Sequence, residues 1–244
     1  MNLSKSGGKP LTTTTSDLFD PRLAPVLRND EHLDAVSDDR LTAAALRKRF
    51  QSSRIWQPEH TVEKRFSDRP PAKAAVLIPL VMRSQLTLLL TQRTDTLSTH
   101  PGQIAFPGGR VDASDIDAAD TAMREANEEI GLPRADVEVL GTLPIYVTDT
   151  AYIITPVVAL IHPGASLMRN PAEVADIFEV PLQYVMNPAN HRHHHVELGG
   201  IQRQWLSIPY IHQSDNIDSS VAKERFIWGA TAGMLRNLYR FLVV

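Results

Sequence analysis

Apolar positions along this chain follow two rhythms, and the switches between them mark its elements. Residues 74–81 and 86–92 are nearly continuous runs of Ala, Val, Leu and Ile, and predict two strands joined by a short turn at Arg83 and Ser84. Residues 104–106 predict a short strand, residues 137–146 and 152–161 two longer ones rich in β-branched and aromatic side chains, and residues 202–206 another. Ala119, Met123, Ala126 and Ile130 instead recur at helical spacing and define the inner face of an amphipathic helix. Helices are also expected over residues 38–50, with Leu41, Ala45, Leu46 and Arg49 in register behind a cap at Asp38, and over residues 226–241. In that last stretch Phe226, Ile227, Trp228, Leu235 and Leu238 read as core, and Gly229 and Gly233 as residues that permit close packing. A short helix is expected to start within residues 171–175. Strands and helices mix without regular alternation, which predicts the α+β class rather than a doubly wound sheet.

The central helix carries its own punctuation. Asp117 stands as N-cap with Asp120 three residues on, Gly131 suits the left-handed residue past the end, and Pro133 bars continuation. Glu125, Glu128 and Glu129 fall at i, i+3 and i+4, within an arc of about 100°, and Arg124 is their one local counter-charge. Acidic clusters on helices are usually solvated faces. This one follows Phe106-Pro107-Gly108-Gly109, expected to be a turn that brings bare backbone close to whatever the helix holds. Three close carboxylates repel one another, oxygen-preferring divalent cations relieve the repulsion, and phosphates recruit such cations. The helix therefore reads as a magnesium site suited to cleaving phosphoanhydrides.

Bulk properties narrow the setting. The 244 residues suffice for one large domain or for a domain of about 160 residues with an extension. Arg69-Pro70-Pro71 marks the expected boundary, dividing residues 1–71, a polar tail over 1–17 followed by a helical extension, from a domain over 72–244. A hydrophobic share of 43% supports a sizeable core, and a net charge of −3 without a lysine–arginine run offers no field for nucleic acid. The absence of cysteine excludes disulfides and thiolate metal sites and agrees with a cytoplasmic location. The apolar run at 74–82 is too short to span a bilayer, the first ten residues lack a secretory apolar stretch, and the last residues lack a Ser-Lys-Leu tail. No membrane partner is expected.

Residues 109–132 resemble the Nudix box, the loop–helix–loop motif of the Nudix hydrolases. Arg124, Glu125, Ala126, Glu128, Glu129, Gly131 and Leu132 all match it, while the glycine-to-arginine segment is one residue longer than its commonest form, so that Asp112 or Asp115 takes the place of its first acid. Leu89-Leu90-Thr91-Gln92-Arg93, Leu97, His100, Gly102-Gln103 and Phe106-Pro107-Gly108-Gly109 resemble the segment that precedes the box in coenzyme A pyrophosphatases of the bacterial NudL-type branch. Thr94 stands there in place of the usual serine or alanine, and Ser98 in place of the usual arginine, which removes a possible phosphate contact. The likeness extends from about residue 74 to about residue 238, through Thr155-Pro156-Val157-Val158, Phe178-Glu179-Val180-Pro181-Leu182 and Trp228-Gly229-Ala230-Thr231-Ala232-Gly233. It implies an α/β/α sandwich around a mixed sheet and a hydrolase dependent on Mg²⁺ or Mn²⁺. The implied reaction splits the diphosphate of coenzyme A or its derivatives into 3′,5′-adenosine bisphosphate and 4′-phosphopantetheine. The alternatives are ADP-ribose, a dinucleotide or a nucleoside triphosphate as substrate, or a non-catalytic module of this fold that binds nucleotides.

The resemblance implies that Glu125 and Glu129 hold the metal, with Glu128 either sharing it or moving a proton, and that Arg124 orients a glutamate. Gly108 and Gly109 would admit a phosphate closely or lend a carbonyl to the metal. Arg93 pairs with phosphate or forms a structural ion pair at a strand end. His100 and Gln103 bind the nucleotide or hold the loop. A further loop carboxylate is expected from Glu173 in preference to Glu179. His191, His193, His194 and His195 lack the i, i+4 spacing of a helical metal site and are expected in a solvated loop. The N-terminal helix and the apolar C-terminus are candidate contacts for a homodimer.

Overall fold

A central mixed sheet organises the computed structural model, which describes residues 20–60, 62–63, 70–97, 100–198, 201–212 and 223–244. The expected tail over residues 1–17, Arg69 at the expected boundary and Ser98 lie outside the described residues. In chain order the elements are β1 (Val26–Asn29), α1 (Ala43–Phe50), β2 (Ala72–Met82), β3 (Leu86–Arg93), β4 (Ile104–Ala105), β5 (Gly108–Arg110), α2 (Ala118–Ile130), β6 (Val137–Thr142), β7 (Tyr146–Val147) and β8 (Tyr152–Ile161). Then follow β9 (Val174–Pro181), α3 (Leu182–Val185), β10 (Arg192–Leu198), β11 (Ile201–His212), β12 (Lys223–Trp228) and α4 (Gly229–Leu242).

The central sheet runs β4-β3-β2-β8-β6, with β5 on β2, β7 on β8 and β9 on β3. Among the strands of the described residues β2 and β8 alone pair in parallel, their ladder extending from Ala72↔Tyr152 to Val81↔Ile161, beside an isolated parallel bridge from Val62 to Val147. Strands buried on both faces read as continuous apolar runs, and β2 and β3 do: Leu77, Ile78, Leu88, Leu89 and Leu90 are fully buried. Pro79 is tolerated in this central strand because β2 changes partner there. Its open side pairs with β5 over Ala74–Val76 and with β3 from Leu80 onward.

One face of the sheet packs on α2, where Ala122, Ala126 and Ile130 meet Ala75, Leu77, Leu89, Val157 and Ala159. The other face packs on α4 and the N-terminal segment, where Ile78, Leu80, Leu88, Val158 and Leu160 meet Leu46, Leu235, Leu238 and Tyr239. The result is the expected α+β class, a mixed sheet between helical layers with an N-terminal helical region. Burying Leu235 and Leu238 alone, each wholly enclosed, contributes on the order of 4 kcal/mol in total.

Several local expectations are corrected. The N-terminal helix starts at Ala43 under a Thr42 cap, whose hydroxyl accepts the Ala45 N–H at 3.2 Å, and Asp38 instead opens a separate single turn. The strand expected over 137–146 breaks after Thr142. Gly141 lies at φ 156, and a Cβ there would press on the Phe50 ring. The helix expected from 171–175 is a turn leading into β9: Ala and Glu favour helix, but an antiparallel ladder to β3 from Thr87↔Pro181 to Arg93↔Val174 overrides that preference. The terminal helix begins at Gly229, not at residue 226. Phe226, Ile227 and Trp228 close β12 against Pro209, Ile208 and Ser207, and Phe226 and Ile227 are core as expected. Gly233 does allow close packing, since a Cβ on it would overlap the Tyr146 ring.

A second, antiparallel sheet in the order β1-β10-β11-β12 was not foreseen. It takes up the histidines that were expected in a solvated loop. His191 is fully buried and His194 nearly so. The His191 Nε2–H donates to the Val185 carbonyl at 2.8 Å, and its Nδ1 accepts from Arg236 at 3.2 Å. His194 bonds the Ser207 hydroxyl at 2.8 Å and stacks on Trp205. His193 meets Asp30 at 2.7 Å, and Asp30 also pairs with Arg28 at 2.7 Å and Arg236 at 3.0 Å. Arg236 completes the cluster on Glu59 at 2.7 Å. The N-terminal segment is tied down further by Arg40 and Arg49, which donate to the Val243 and Phe241 carbonyls at 2.6 and 2.8 Å.

Candidate active site

The acidic helix is delimited as its sequence foretold. The Asp117 carboxylate accepts the Asp120 N–H at 2.8 Å, and Asp120 returns the favour by accepting the Ile116 N–H at 3.0 Å. Gly131 closes α2 in the left-handed conformation, φ 65, with its N–H on the Asn127 carbonyl at 2.9 Å. Three acids on one arc acquire three environments. Glu128 is 55% exposed, Glu125 is 16% exposed, and Glu129 turns under the sheet with the buried apolar stripe.

Arg124 spends its donors on holding this arrangement. Nε and Nη2 grip Asp115 at 2.9 and 3.0 Å, Nη1 donates to Glu125 at 3.0 Å and Glu128 at 3.2 Å, and Nη2 also reaches the Arg110 carbonyl at 3.0 Å. The choice between Asp112 and Asp115 resolves to Asp115 as the partner of the box arginine, and the Arg124 hydrogen bonds hold that carboxyl well below the usual range. Asp112 instead accepts from the Ser114 N–H and hydroxyl, each at 2.9 Å.

The glycine pair is not the expected turn. Gly108–Arg110 is a short edge strand paired with Ala74–Val76, and neither glycine has a positive φ. What both positions require is proximity: a Cβ on Gly109 would collide with the Glu125 carboxylate, and one on Gly108 would lie 2.5 Å from the Ala75 carbonyl oxygen. The Gly108 N–H donates to Glu129.

The end of β3 gathers the remaining groups. The Arg93 N–H donates to the Gln103 carbonyl at 2.9 Å, and the Thr94 N–H to the Glu173 carbonyl at 3.0 Å. Arg93 lies in the field of both Glu129 and His100, and His100 itself adopts φ 55. Glu173 is held against α2 through Asn170, whose N–H donates to the Glu129 carbonyl at 2.8 Å and whose side-chain amide donates to Glu173 at 3.3 Å. Gly109 lies against Glu125, Arg93 and Glu173 act on Glu129, and Gln103 is tied to this group through its backbone carbonyl. Glu179 stands apart: it sits farther along β9, bound to Arg83 at 2.6 Å and to Thr87. Asn170 was missed, because a lone amide in a loop carries no spacing signal, and so was Arg110, whose carbonyl anchors Arg124.

The electrostatics are unbalanced. Burial raises the Glu129 pKa to about 8; Glu125 and Glu173 push the same way, while Arg93 and the Gly108 N–H pull it back. Burial also raises Glu125, with Glu128 and Glu173 adding to the shift and Arg124 opposing it. Such a set ionises fully only beside added positive charge. Its donors are all oxygens, the ligands hard divalent cations take, and Gly109 leaves bare backbone against Glu125 where a Cβ would fill the crevice. Among the described residues no three acids close into a cage of their own. An open set suits an ion whose shell is completed by water and phosphate. Glu125 and Glu129 fit Mg²⁺ or Mn²⁺ in this sense, and Glu128 and Glu173 are within the same acidic field.

Residues 71–208 match the family model of the NUDIX domain. A Photorhabdus laumondii protein named uncharacterized Nudix hydrolase NudL is 41% identical over 175 residues, covering 72% of this chain and 87% of the relative. Proteins of the same name from Citrobacter koseri (38% over 206 residues, 83% of this chain and 96% of the relative) and Escherichia coli K12 (41% over 169 residues, 68% and 80%) are similarly close. No helix among the described residues is long and apolar enough to cross a membrane.

Proposed function

This chain belongs to the Nudix family, as a Nudix hydrolase of the NudL type that acts on nucleotide diphosphate linkages, and from that premise we propose that its substrate is coenzyme A or a derivative. The products are then 3′,5′-adenosine bisphosphate and 4′-phosphopantetheine. Nudix hydrolases use divalent ions such as Mg²⁺ or Mn²⁺. The site assignment is carried by Glu129, a buried carboxylate on the acid-bearing face of α2, beside Glu125, whose own carboxylate lies against Gly109. The coenzyme A reading is supported by the segment from Leu89 to Gly109, which carries Arg93, Gln103, Gly108 and Gly109.

Each group then has a task. Glu125 and Glu129 would hold the cation, with Glu128 exposed on the same helix to share it or move a proton. Arg124 touches no substrate; it fixes Glu125 and the Asp115 loop. Arg93 presents a cation to the substrate diphosphate beside Glu129, and His100 and Gln103 border the entrance. Bound metal supplies charge neutralisation at phosphate oxygens and a more acidic water. Glu173 accepts the proton of the attacking water, a carboxylate placed by backbone bonds to α2 and β3. Burial and the closeness of the acids delay full ionisation until cation and phosphate arrive together.

Purified protein offered coenzyme A, ADP-ribose, NADH and a deoxynucleoside triphosphate panel with Mg²⁺ and then Mn²⁺ tests the assignment. Coenzyme A is expected to have the highest kcat/KM. Coenzyme A cleaved orders of magnitude more slowly than another diphosphate would refute the substrate and leave the reaction class standing.

A further inference from the structure

The β3–β4 hairpin has two working faces, and the proposed reaction uses only one. Consecutive residues on a strand point to opposite sides, so Arg93 faces Glu129 while Gln92 faces away. On that far side a cavity of about 320 Å³ opens between the hairpin and β12, walled by Gln92, Gly102, Ile104, Arg22, Lys223 and Arg225. Its size falls in the range of small-molecule sites.

The wall is built around a buried cation. Arg225 is 4% exposed, with its guanidinium 4.1 Å from the Phe178 ring centre, Nη1 on Gln92 at 2.9 Å and Nη2 on Asp176 at 2.5 Å. Its Nε is buried and has no partner. Asp176 also meets Lys223, at 3.4 Å, and Glu224 lines the cavity as well. Three cations therefore face two carboxylates, and Arg22 and Lys223 stand at the exposed rim. A guanidinium held rigid in the wall and flanked by two exposed cations suits a phosphate monoester.

We propose that this cavity is an anion subsite that takes the 3′-phosphate of the substrate, distinguishing coenzyme A from diphosphates that lack that group. The proposal rests on the coenzyme A reading above. A substrate whose diphosphate lies over Glu125 and Glu129 would pass round the hairpin tip at His100–Gly102 and present its nucleoside end to Lys223 and Arg225.

Calorimetric titration with 3′,5′-adenosine bisphosphate and with 5′-AMP tests it without turnover. Wild-type protein is expected to bind the bisphosphate roughly tenfold more tightly, the worth of one charge-assisted contact. In the Arg22→Ala/Lys223→Ala double variant, chosen because both side chains are exposed, the ratio is expected to collapse toward one. Equal or undetectable binding of the two ligands by wild type, or a ratio unchanged in the double variant, overturns the subsite. Turnover is scored separately. No hydrolysis of coenzyme A with the binding preference intact removes the substrate reading and keeps the subsite; hydrolysis without the preference does the reverse.

Discussion

Two clusters of buried charge lie on opposite sides of the central sheet, and they are solved differently. At the junction of the second sheet with α4, Asp30 and Glu59 share Arg236, and Arg28 and His193 add further donors to Asp30. Both carboxyls stay below their ordinary pKa, Glu59 at about 2, because hydrogen bonds and charges outweigh desolvation, from His193, Arg236 and Arg28 at buried Asp30 and from His60 and Arg236 at the more exposed Glu59. In the crevice, Glu125 and Glu129 go the other way, with Glu129 raised to about 8. A compensated cluster holds elements together. An uncompensated one stores an appetite for cations, and that is the signature of a site rather than a strut.

The sharpest way to break this contrast is to neutralise one member of each cluster. Glu129→Gln is expected to lower kcat by on the order of 10³-fold while leaving the urea midpoint unchanged or raised, since it removes a charge the fold does not favour. Steady-state kinetics with Mg²⁺ and a denaturation curve on the same preparation check both halves. Arg236→Met should do the opposite. It leaves buried Asp30 with only Arg28 and His193, and is expected to cost about 3 kcal/mol of stability, with kcat per folded molecule retained.

Acid titration sharpens the comparison at a third point. His191 is fully buried and accepts from Arg236, so its neutral form is native, and burial lowers its pKa to about 4 from an ordinary 6.5. A base depressed on folding leaves the unfolded chain with more protons between those two values. Stability should therefore be complete above pH 6.5 and fall as pH drops toward 4, by up to roughly 3 kcal/mol. Below about pH 4 the protonation of Asp30 and Glu59 adds to the loss. His191→Gln should flatten the upper part of this profile; an unchanged slope between pH 6.5 and 4 would mean that another group governs it. The smallest effect belongs to Arg47→Ala, which removes an exposed pair with Glu138 at 2.7 Å. It is expected to give no resolvable shift in melting temperature.

What could be read from the sequence follows the range of the interactions involved. The helix bearing the acids was legible to the residue, because Asp117, Asp120 and Gly131 act on backbone groups within four positions. Glu173 is tied to the end of α2 through Asn170 while Glu179 binds Arg83, and the helix start invoked for Glu173 does not exist. Of the second sheet only the strand over residues 202–206 was legible, within β11; β10 reads as a polar histidine run, and its partners Val26–Asn29 lie more than 160 residues away. The start of α4 was hidden because Phe226-Ile227-Trp228 is an apolar run that suits a strand and a helix equally, and pairing with β11 decides between them.

The attachment of the loop before β9 has a consequence for how this scaffold tolerates change. Met168 and Asn170 donate to the carbonyls of Ile130 and Glu129 at 3.0 and 2.8 Å, so the stretch carrying Glu173 hangs from the last turn of α2 itself. Insertions among the intervening residues, at the exposed corner around Pro163 and Gly164 for instance, would lengthen the excursion without altering the gap between the two carboxylates. The position of Glu173 beside α2 is thereby insulated from changes in the length of the loop that leads to it.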